Sequence, residues 1–482
     1  MTMLGVNTMK TRLLALGTVL IVCSAAVSRG ADDTQALKKE NAELRQRVGT
    51  LETELKDIKT LLGQQAKQLE KLQQSSSSPS AGAAAGAGAA QTQPADPAKS
   101  ELAEVREQVR RDAERQATKR LSLWSSLDVN LYGYIKLDTA WDLARTDAGD
   151  FARWVESEQG RVDDGQFNVT AKQTRLGLKF KGPESDGLKT SGRIEIDFYG
   201  GGTENKPVPM LRHAYMVLDW PTERFSILAG QTSDVFSPLN PETLNYSVQW
   251  WAGNIGYRRP QVRLTKVFKL ADDVDLKLEG AVARTIGRDG PFDPGDTGED
   301  RCLPGIQGRT SLTFPLFAPK PTTVGFSGHF AIEEYDLDAA DTHRELESWS
   351  ANLDVTQPIT TWMEIKGELF TGQLLDPYLG GIGQGVSATT VRGLASCGGW
   401  LAVCLTPWKQ WTFNVGASVE ALDKGEVAAD ARTVNRTIWG NVLYSITDHA
   451  SVGFELSNWH TDYKGRSPGD SMRAQMSFIY KF

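Results

Sequence analysis

The chain has 482 residues, a formal net charge of −7, 46 glycines and 9% aromatic residues. The acidic balance argues against nucleic acid as a partner, because the phosphate backbone attracts basic surfaces. No run of eighteen apolar residues occurs, which excludes a helical membrane protein. A transmembrane β-barrel is not excluded, since only every second residue of its strands is apolar.

Residues 1–26 have the pattern of an export signal peptide. Lys10 and Arg12 precede an apolar run over 13–23, and small residues follow up to Ala26. The run is too short to span a bilayer, and cleavage near Ala26 fits the rule for small residues at the cleavage site. Lipidation of Cys23 is disfavoured, because Val22 stands where a small residue is expected.

Residues 32–74 are predicted to form a coiled coil in the periplasm. Residues at alternating steps of four and three form its seam: Leu37, Asn41, Leu44, Val48, Leu51, Leu55, Ile58, Leu62, Gln65, Leu69 and Leu72. Charged residues flank this seam, as in oligomeric coiled coils. The alternative is a single amphipathic helix that lies on another surface. The pattern implies an oligomer without fixing its order, because the mixture of Leu, Val and Ile does not select a strand number.

Two further segments precede the strands. Residues 75–100 are rich in Ser, Ala, Gly and Pro, a composition that cannot bury a core and that predicts a flexible linker. Residues 101–124 are charged, have little apolar face and are predicted to be helical.

Residues 125–482 alternate apolar and polar side chains and are predicted to form an all-β transmembrane barrel of sixteen antiparallel strands. The expected strands are 127–142, 166–181, 187–199, 208–220, 223–231, 255–270, 273–286, 305–316, 320–334, 344–357, 360–373, 389–406, 409–421, 431–446, 449–462 and 471–482. Long and tight connections alternate, which is typical of an up-and-down barrel with long outside loops and short periplasmic turns.

The two faces of the strands are chemically distinct. In the first strand Leu131, Ile135 and Trp141 are expected to face lipid, while Lys136 and Asp138 face water. In the last strand the lipid-facing set is Met472, Ala474, Met476, Phe478, Tyr480 and Phe482. That strand, with its aromatic end, resembles the C-terminal signal strand of bacterial outer-membrane proteins. The charged inner face predicts a hydrated bore, and sixteen strands are about enough to enclose one.

The third long connection, 232–254, is unusually apolar for an exposed loop. It contains Phe236, Tyr246, Trp250 and Trp251. We expect it to fold inward and narrow the channel. The alternative is a loop packed between subunits.

Arginines recur at positions with inward parity: Arg175, Arg193, Arg212, Arg259, Arg263 and Arg309. Because a guanidinium binds carboxylates bidentately, such a group favours anionic solutes along the pore. The alternative for each arginine is an ion pair with an inward carboxylate such as Glu195, Asp197, Glu364 or Glu368.

Catalytic, cofactor and metal motifs are not found in the sequence. Cys302, Cys397 and Cys404 form no Cys-x-x-Cys pair, and the five histidines lack metal spacing. The acidic residues of 289–300 do not follow calcium-loop spacing and predict a solvated outside loop. The glycines of 380–385 superficially resemble a dinucleotide fingerprint, but they lack the βαβ context. We therefore expect no enzyme activity, no cofactor and no metal.

Several segments together resemble the DcaP-like trimeric outer-membrane porins. They are 131–138 (LYGYIKLD), 211–215 (LRHAY), 228–232 (LAGQT), 379–385 (LGGIGQG) and 398–400 (GGW), after a helical prefix of similar kind. The resemblance implies a sixteen-stranded homotrimeric channel of the outer membrane, in a family with members that admit small dicarboxylates and other anions.

The resulting hypothesis is a passive outer-membrane channel for small hydrophilic solutes, with a preference for anions. The alternative is a structural anchor in the outer-membrane lipid, whose coiled coil reaches toward the peptidoglycan and contacts the cell wall.

Overall fold

A computed structural model describes residues 127–159, 164–286, 302–337, 342–387 and 389–482. The predicted signal peptide, coiled coil, linker and helical segment lie outside the described residues. Within these ranges no helix is long and apolar enough to cross a membrane.

The described residues contain nineteen strands. In the first half they are β1 (Asp128–Asp142), β2 (Gln166–Thr170), β3 (Arg175–Lys181), β4 (Lys189–Asp197), β5 (Gly202–Thr203), β6 (Lys206–Pro207), β7 (Met210–Trp220), β8 (Phe225–Ser233), β9 (Arg258–Ala271) and β10 (Val274–Ala283). In the second half they are β11 (Gly305–Phe314), β12 (Thr322–Asp336), β13 (His343–Pro358), β14 (Met363–Gln373), β15 (Ala395–Trp408), β16 (Trp411–Leu422), β17 (Arg432–Ser445), β18 (Ala450–Tyr463) and β19 (Gly469–Lys481). Short 3₁₀ turns occur at Asp376–Tyr378 and Gly381–Gly383.

The strands form a closed antiparallel barrel. Each barrel strand pairs with the next along the chain, and β19 pairs with β1, with Leu137 opposite Phe478. β2 and β3 both pair with β1 and share one position in the wall, while β5 and β6 form a separate small hairpin. The barrel therefore has sixteen strand positions, which confirms the predicted number.

The second wall position is divided because the chain turns at 171–174. The Thr174 N–H donates to the Ala171 carbonyl at 3.0 Å. The Thr174 hydroxyl then accepts the Lys136 N–H of β1 at 3.2 Å, so a side chain replaces one backbone partner of the ladder.

The alternation of side chains across the wall is as predicted. Leu131 and Ile135 of β1 are 60% and 55% exposed on the outer face, whereas Lys136 and Asp138 on the inner face are 3% exposed. In β19, Met472 and Phe478 are exposed, and Arg473, Gln475 and Ser477 are buried inward. The barrel thus has an apolar outer face and a polar interior.

The wall is not equally tall around its circumference. β4 and β8 have nine residues and β10 and β11 have ten. In contrast, β12, β13 and β17 have fifteen, sixteen and fourteen. Since each residue adds about 3.3 Å along a strand, the wall is lower at β4, β8, β10 and β11 than at β12, β13 and β17, although β9, between β8 and β10, has fourteen residues.

The three cysteines are unpaired in the described part of the chain. Cys397 and Cys404 both lie on β15, and their odd separation places them on opposite faces of the wall.

Candidate functional site

The long connection between β8 and β9, residues 234–257, lies inside the barrel. We call it the inner loop. Phe236 is fully buried, Trp250 is 8% exposed, and Trp251 and Tyr246 are partly buried. The structure thus places all four aromatic residues predicted for a constriction within the barrel.

A carboxylate on the inner wall holds the start of the inner loop. Glu368 of β14 accepts hydrogen bonds from the Ser237 hydroxyl at 2.7 Å and from the Leu239 N–H at 2.8 Å. Because the Glu368 side chain is buried, these donors would lack water as a substitute partner. The contact fixes the inner loop to β14.

A second set of wall residues holds the middle of the inner loop at Leu244. The Leu244 N–H donates to Glu455 of β18 at 2.7 Å. The Leu244 carbonyl accepts from Lys136 of β1 and Gln475 of β19, both at 2.9 Å. Both backbone groups of one loop residue are therefore satisfied by three neighbouring strands.

The connection between β14 and β15, residues 374–394, also folds inward and contacts the inner loop. Trp251 and Gly256 donate their N–H groups to the carbonyls of Leu379 and Tyr378, each at 2.7 Å. Phe236, Ile255, Phe370, Leu375 and Tyr378 form one buried apolar cluster between the two loops. The glycine-rich stretch of the sequence therefore belongs to a structural clamp on the inner loop.

A third connection, 143–159, closes over the inner loop from the other side. Asn245 exchanges two hydrogen bonds of 3.0 Å with the backbone of Ala152. Ala152, Val155, Ala252 and Trp459 form a second buried cluster. The three inward connections therefore hold one another in place and are also bound to the wall.

A cavity of about 390 Å³ lies between the inner loop and the wall of β3, β7 and the start of β9. Its size falls within the range of small-molecule sites. The residues that line it with polar groups include Gln173, Arg175, Arg212, His213, Asp234, Glu242, Tyr246, Tyr257 and Arg258.

Two of the six predicted arginines, Arg175 and Arg212, line this cavity. Arg212 donates to Glu195 at 2.9 Å and to Asp197 at 2.5 Å. Arg175 lies 3.4 Å from Glu195 and over the ring of Tyr134. Glu195 and Asp197 are 1% and 0% exposed, so the guanidinium groups, rather than the carboxylates, face the cavity.

The other four predicted arginines do not line the cavity. Arg193 pairs with Glu195 and Tyr132 behind it. Arg263 contacts Gln261 and lies 4.0 Å from Glu279.

Arg259 and Arg309 are engaged elsewhere. Arg259 donates to Asp234 at 2.7 Å and lies 3.9 Å from the ring of Tyr378, which joins the two inward loops. Arg309 forms a bidentate pair with Asp354 across β12, at 3.0 and 2.6 Å. Their geometry is that of the alternative considered from the sequence, ion pairs with inward carboxylates.

Arg258, which the sequence analysis did not single out, also lines the cavity. It is 6% exposed, and its Nε and Nη2 atoms have no hydrogen-bond partner among the described residues. Its guanidinium lies 4.7 Å from the ring of Tyr257 and 5.6 Å from that of Trp250. The aromatic rings hold this cation in place, and neither of these two buried donors meets an acceptor among the described residues.

Aromatic rings cover the loop side of the cavity. Tyr246 stacks on Tyr199 at 3.8 Å, and Phe151 contacts both rings edge-on. Burial raises the pKa of the Tyr246 phenol, and the charge of Asp197 adds to the shift. Tyr246 is therefore a neutral donor near the cavity, and its hydroxyl lies 3.3 Å from Asp197.

Replacing Glu368 with alanine is expected to destabilise the barrel by about 1–3 kcal/mol, because Ser237 and Leu239 lose a buried acceptor. The temperature at which the folded form disappears from heat-modifiability gels measures this. Glu364→Ala is the control, since Glu364 is partly exposed and pairs with Lys366 at 3.2 Å. An equal loss of thermal stability in the two variants would contradict the conclusion that Glu368 holds the inner loop in place.

No protein-family profile and no curated protein matches the chain. Among solved structures, the outer membrane channel DcaP of Acinetobacter baumannii is similar with a TM-score of 0.60 and 22% identity, over 74% of this chain and 98% of that one. An anion-selective porin from Comamonas acidovorans aligns with a TM-score of 0.48 and 10% identity, over 74% and 100%. Salmonella typhi OmpF in complex with daunomycin aligns at 0.49 and 11%, over 73% and 97%. The first of these likenesses establishes the fold: this chain has the porin-type barrel of the DcaP channel.

Proposed function

We propose that this chain, which shares the barrel fold of the DcaP outer membrane channel, is a passive outer-membrane channel that favours small anions such as dicarboxylates. An apolar outer face suits a bilayer, and a polar interior suits a hydrated path. Diffusion down a gradient requires neither a cofactor nor an energy source.

The observation that carries the anion preference is Arg258. Its guanidinium is almost fully buried, its Nε and Nη2 have no hydrogen-bond partner in the described ranges, and it lines the cavity beside Arg175 and Arg212. An arginine in that state loses hydration without gaining a carboxylate partner among the residues that the structure describes. An anionic solute supplies the missing acceptors, and the planar fork suits a carboxylate.

The cavity has a positive surplus. In or behind its lining, four guanidinium groups, of Arg175, Arg193, Arg212 and Arg258, stand against three carboxylates: the buried Glu195 and Asp197, and the exposed Glu242, which pairs with Lys366 at 3.4 Å. Asp234 also borders the cavity, but Arg259 and Gln307 already bind it, each at 2.7 Å. The field along the path therefore favours negative solutes.

Liposome swelling tests the solute class. Vesicles that contain the purified protein are expected to admit succinate faster than 1,4-diaminobutane, a diamine of similar length. Faster entry of the diamine would contradict the anion preference, and no entry of either would contradict the channel itself.

The proposed assembly is a homotrimer in which residues 1–26 direct export and residues 32–74 form a periplasmic coiled coil. The heptad seam supports an oligomer. The low wall supports a contact between barrels, since strands of nine residues only just span a bilayer and gain from being covered by a neighbour.

Deleting residues 32–120 is expected to leave single-channel conductance unchanged, because the cavity and the loops that form it lie within 127–482. Planar-bilayer recordings of the deletion variant and the full chain make the comparison. If conductance is retained but the outer membrane detaches from the cell wall, the chain also serves as the anchor considered above. Loss of conductance from a folded barrel would contradict the assignment of the channel to 125–482.

A further inference from the structure

A groove of about 680 Å³ runs across the outer face of β14 to β17, on the other face of the wall from the barrel interior. Gly367, Gly399 and Ala417 form its floor, and Leu369, Leu401 and Ile438 form its sides. The glycines create the depression: a Cβ on Gly399 would lie 2.5 Å from the Leu369 side chain. The groove is apolar along most of its length.

An unpaired arginine stands at one end of this groove. Arg436 of β17 is exposed on the outer face, between Val419 of β16 and His460 of β18. No ion pair or hydrogen bond of its side chain is found among the described residues. The acidic side chains nearby are Asp462 and Asp470, and both contact His460, at 3.1 and 2.6 Å.

The depth of Arg436 indicates the kind of environment that it meets. Tyr444 marks the end of β17 at the short connections, and Arg436 lies eight residues further along the strand. A tilted strand crosses the hydrocarbon in about 9–11 residues. Arg436 therefore lies just within the far edge of the bilayer, where a long side chain reaches the headgroups.

The wall height indicates that lipid, rather than another subunit, covers this face. The groove lies on strands of eleven to fourteen residues, which reach or exceed the roughly 9–11 residues that cross the hydrocarbon. The nine-residue strands β4 and β8 are the ones that benefit from a neighbouring barrel.

We propose that this groove binds a phosphorylated lipid of the outer leaflet, with an acyl chain along the glycine floor and the phosphate on Arg436. The guanidinium fork matches phosphate oxygens, and the bound phosphate removes the cost of an unpaired charge at the edge of the bilayer. This site is separate from the solute path and does not depend on solute choice.

Native mass spectrometry of the purified full chain tests the site, with dioleoyl phosphatidate as the probe and dioleoylglycerol as its uncharged counterpart. The protein is expected to retain phosphatidate about tenfold more tightly than diacylglycerol, equivalent to ~1.4 kcal/mol. Arg436→Gln removes that preference. Ala417→Phe fills the groove and weakens both lipids, whereas Arg224→Gln, on an exposed turn beside Asp275, changes neither.

Two outcomes overturn the proposal. One is equal phosphatidate retention by the native chain and Arg436→Gln. The other is dissociation of the oligomer in Arg436→Gln without a change in lipid preference, since a second copy then covers the groove. Should Ala417→Phe fail to fold, Arg436→Gln alone decides.

Discussion

Replacing Arg258 with glutamine is expected to lower the preference of the channel for anions by about tenfold, because a hydrogen bond to a charged group contributes ~1.5–3 kcal/mol. Arg258 is the cavity arginine whose Nε and Nη2 have no partner in the described chain. Removing it leaves no carboxylate without a partner, so the barrel is expected to stay folded. The ratio of anion to cation permeability, from reversal potentials in planar bilayers, measures the effect.

Arg436→Gln is the matched control for Arg258→Gln. Both arginines are unpaired within the described chain, but only Arg258 lines the cavity. The control is expected to leave the permeability ratio unchanged. If both variants shift the ratio equally, the effect arises from the overall charge of the protein, and the role assigned to Arg258 is wrong.

Replacing Gly253 with valine is expected to dislodge the inner loop, which raises single-channel conductance and reduces discrimination between solutes. Gly253 has a φ of +117°, and a Cβ there would lie 2.4 Å from the Gly399 carbonyl oxygen and 2.8 Å from that of Val419. These oxygens belong to the hydrogen-bonded wall and cannot move aside. Single-channel recordings with increasing sizes of anion give the measurement.

Gly256→Ala separates backbone strain from steric exclusion. Gly256 has a similar φ of +100°, but the nearest atom to an added Cβ is 3.5 Å away. Alanine at that position costs about 1–2 kcal/mol of strain and leaves the loop in place. We expect Gly256→Ala to have normal conductance and Gly253→Val to have high conductance. Normal conductance in both variants would show that the loop does not limit the passage.

The strands could be predicted from the sequence because alternation and turn residues are local signals. The predicted boundaries fall close to those observed. Each strand must present one face to an apolar environment and the other to a polar interior, and this requirement is visible in the sequence. The break at 171–174 was missed, because it depends on the Thr174 side chain meeting the backbone of Lys136 in another strand.

The arginines show where the alternation of side chains along a strand no longer predicts which face a residue occupies. Alternation along the strand identified Arg259 as inward and did not identify its neighbour Arg258, yet both are buried. β9 begins at Arg258, directly after the inner loop, so this residue lies where the chain still runs inside the barrel. Its position next to the aromatic Tyr257 at the end of an inward loop is the signal that could have identified it.

The ion-pair partners of the arginines could not be predicted from the sequence either. Arg309 and Asp354 are forty-five positions apart and meet only because β12 lies between their strands. The contacts that hold the inner loop against the connections at 374–387 and 143–159 could not be predicted for the same reason. They join segments that are distant along the chain and that meet only inside a closed wall. The composition of 232–254 indicated an inward loop, but it could not indicate what holds it there.

The most direct measurement is the reversal potential of the full chain in a planar bilayer that separates two concentrations of potassium chloride. The account predicts a stable channel that passes chloride more readily than potassium. A preference for potassium, or a folded barrel that carries no current, would contradict it.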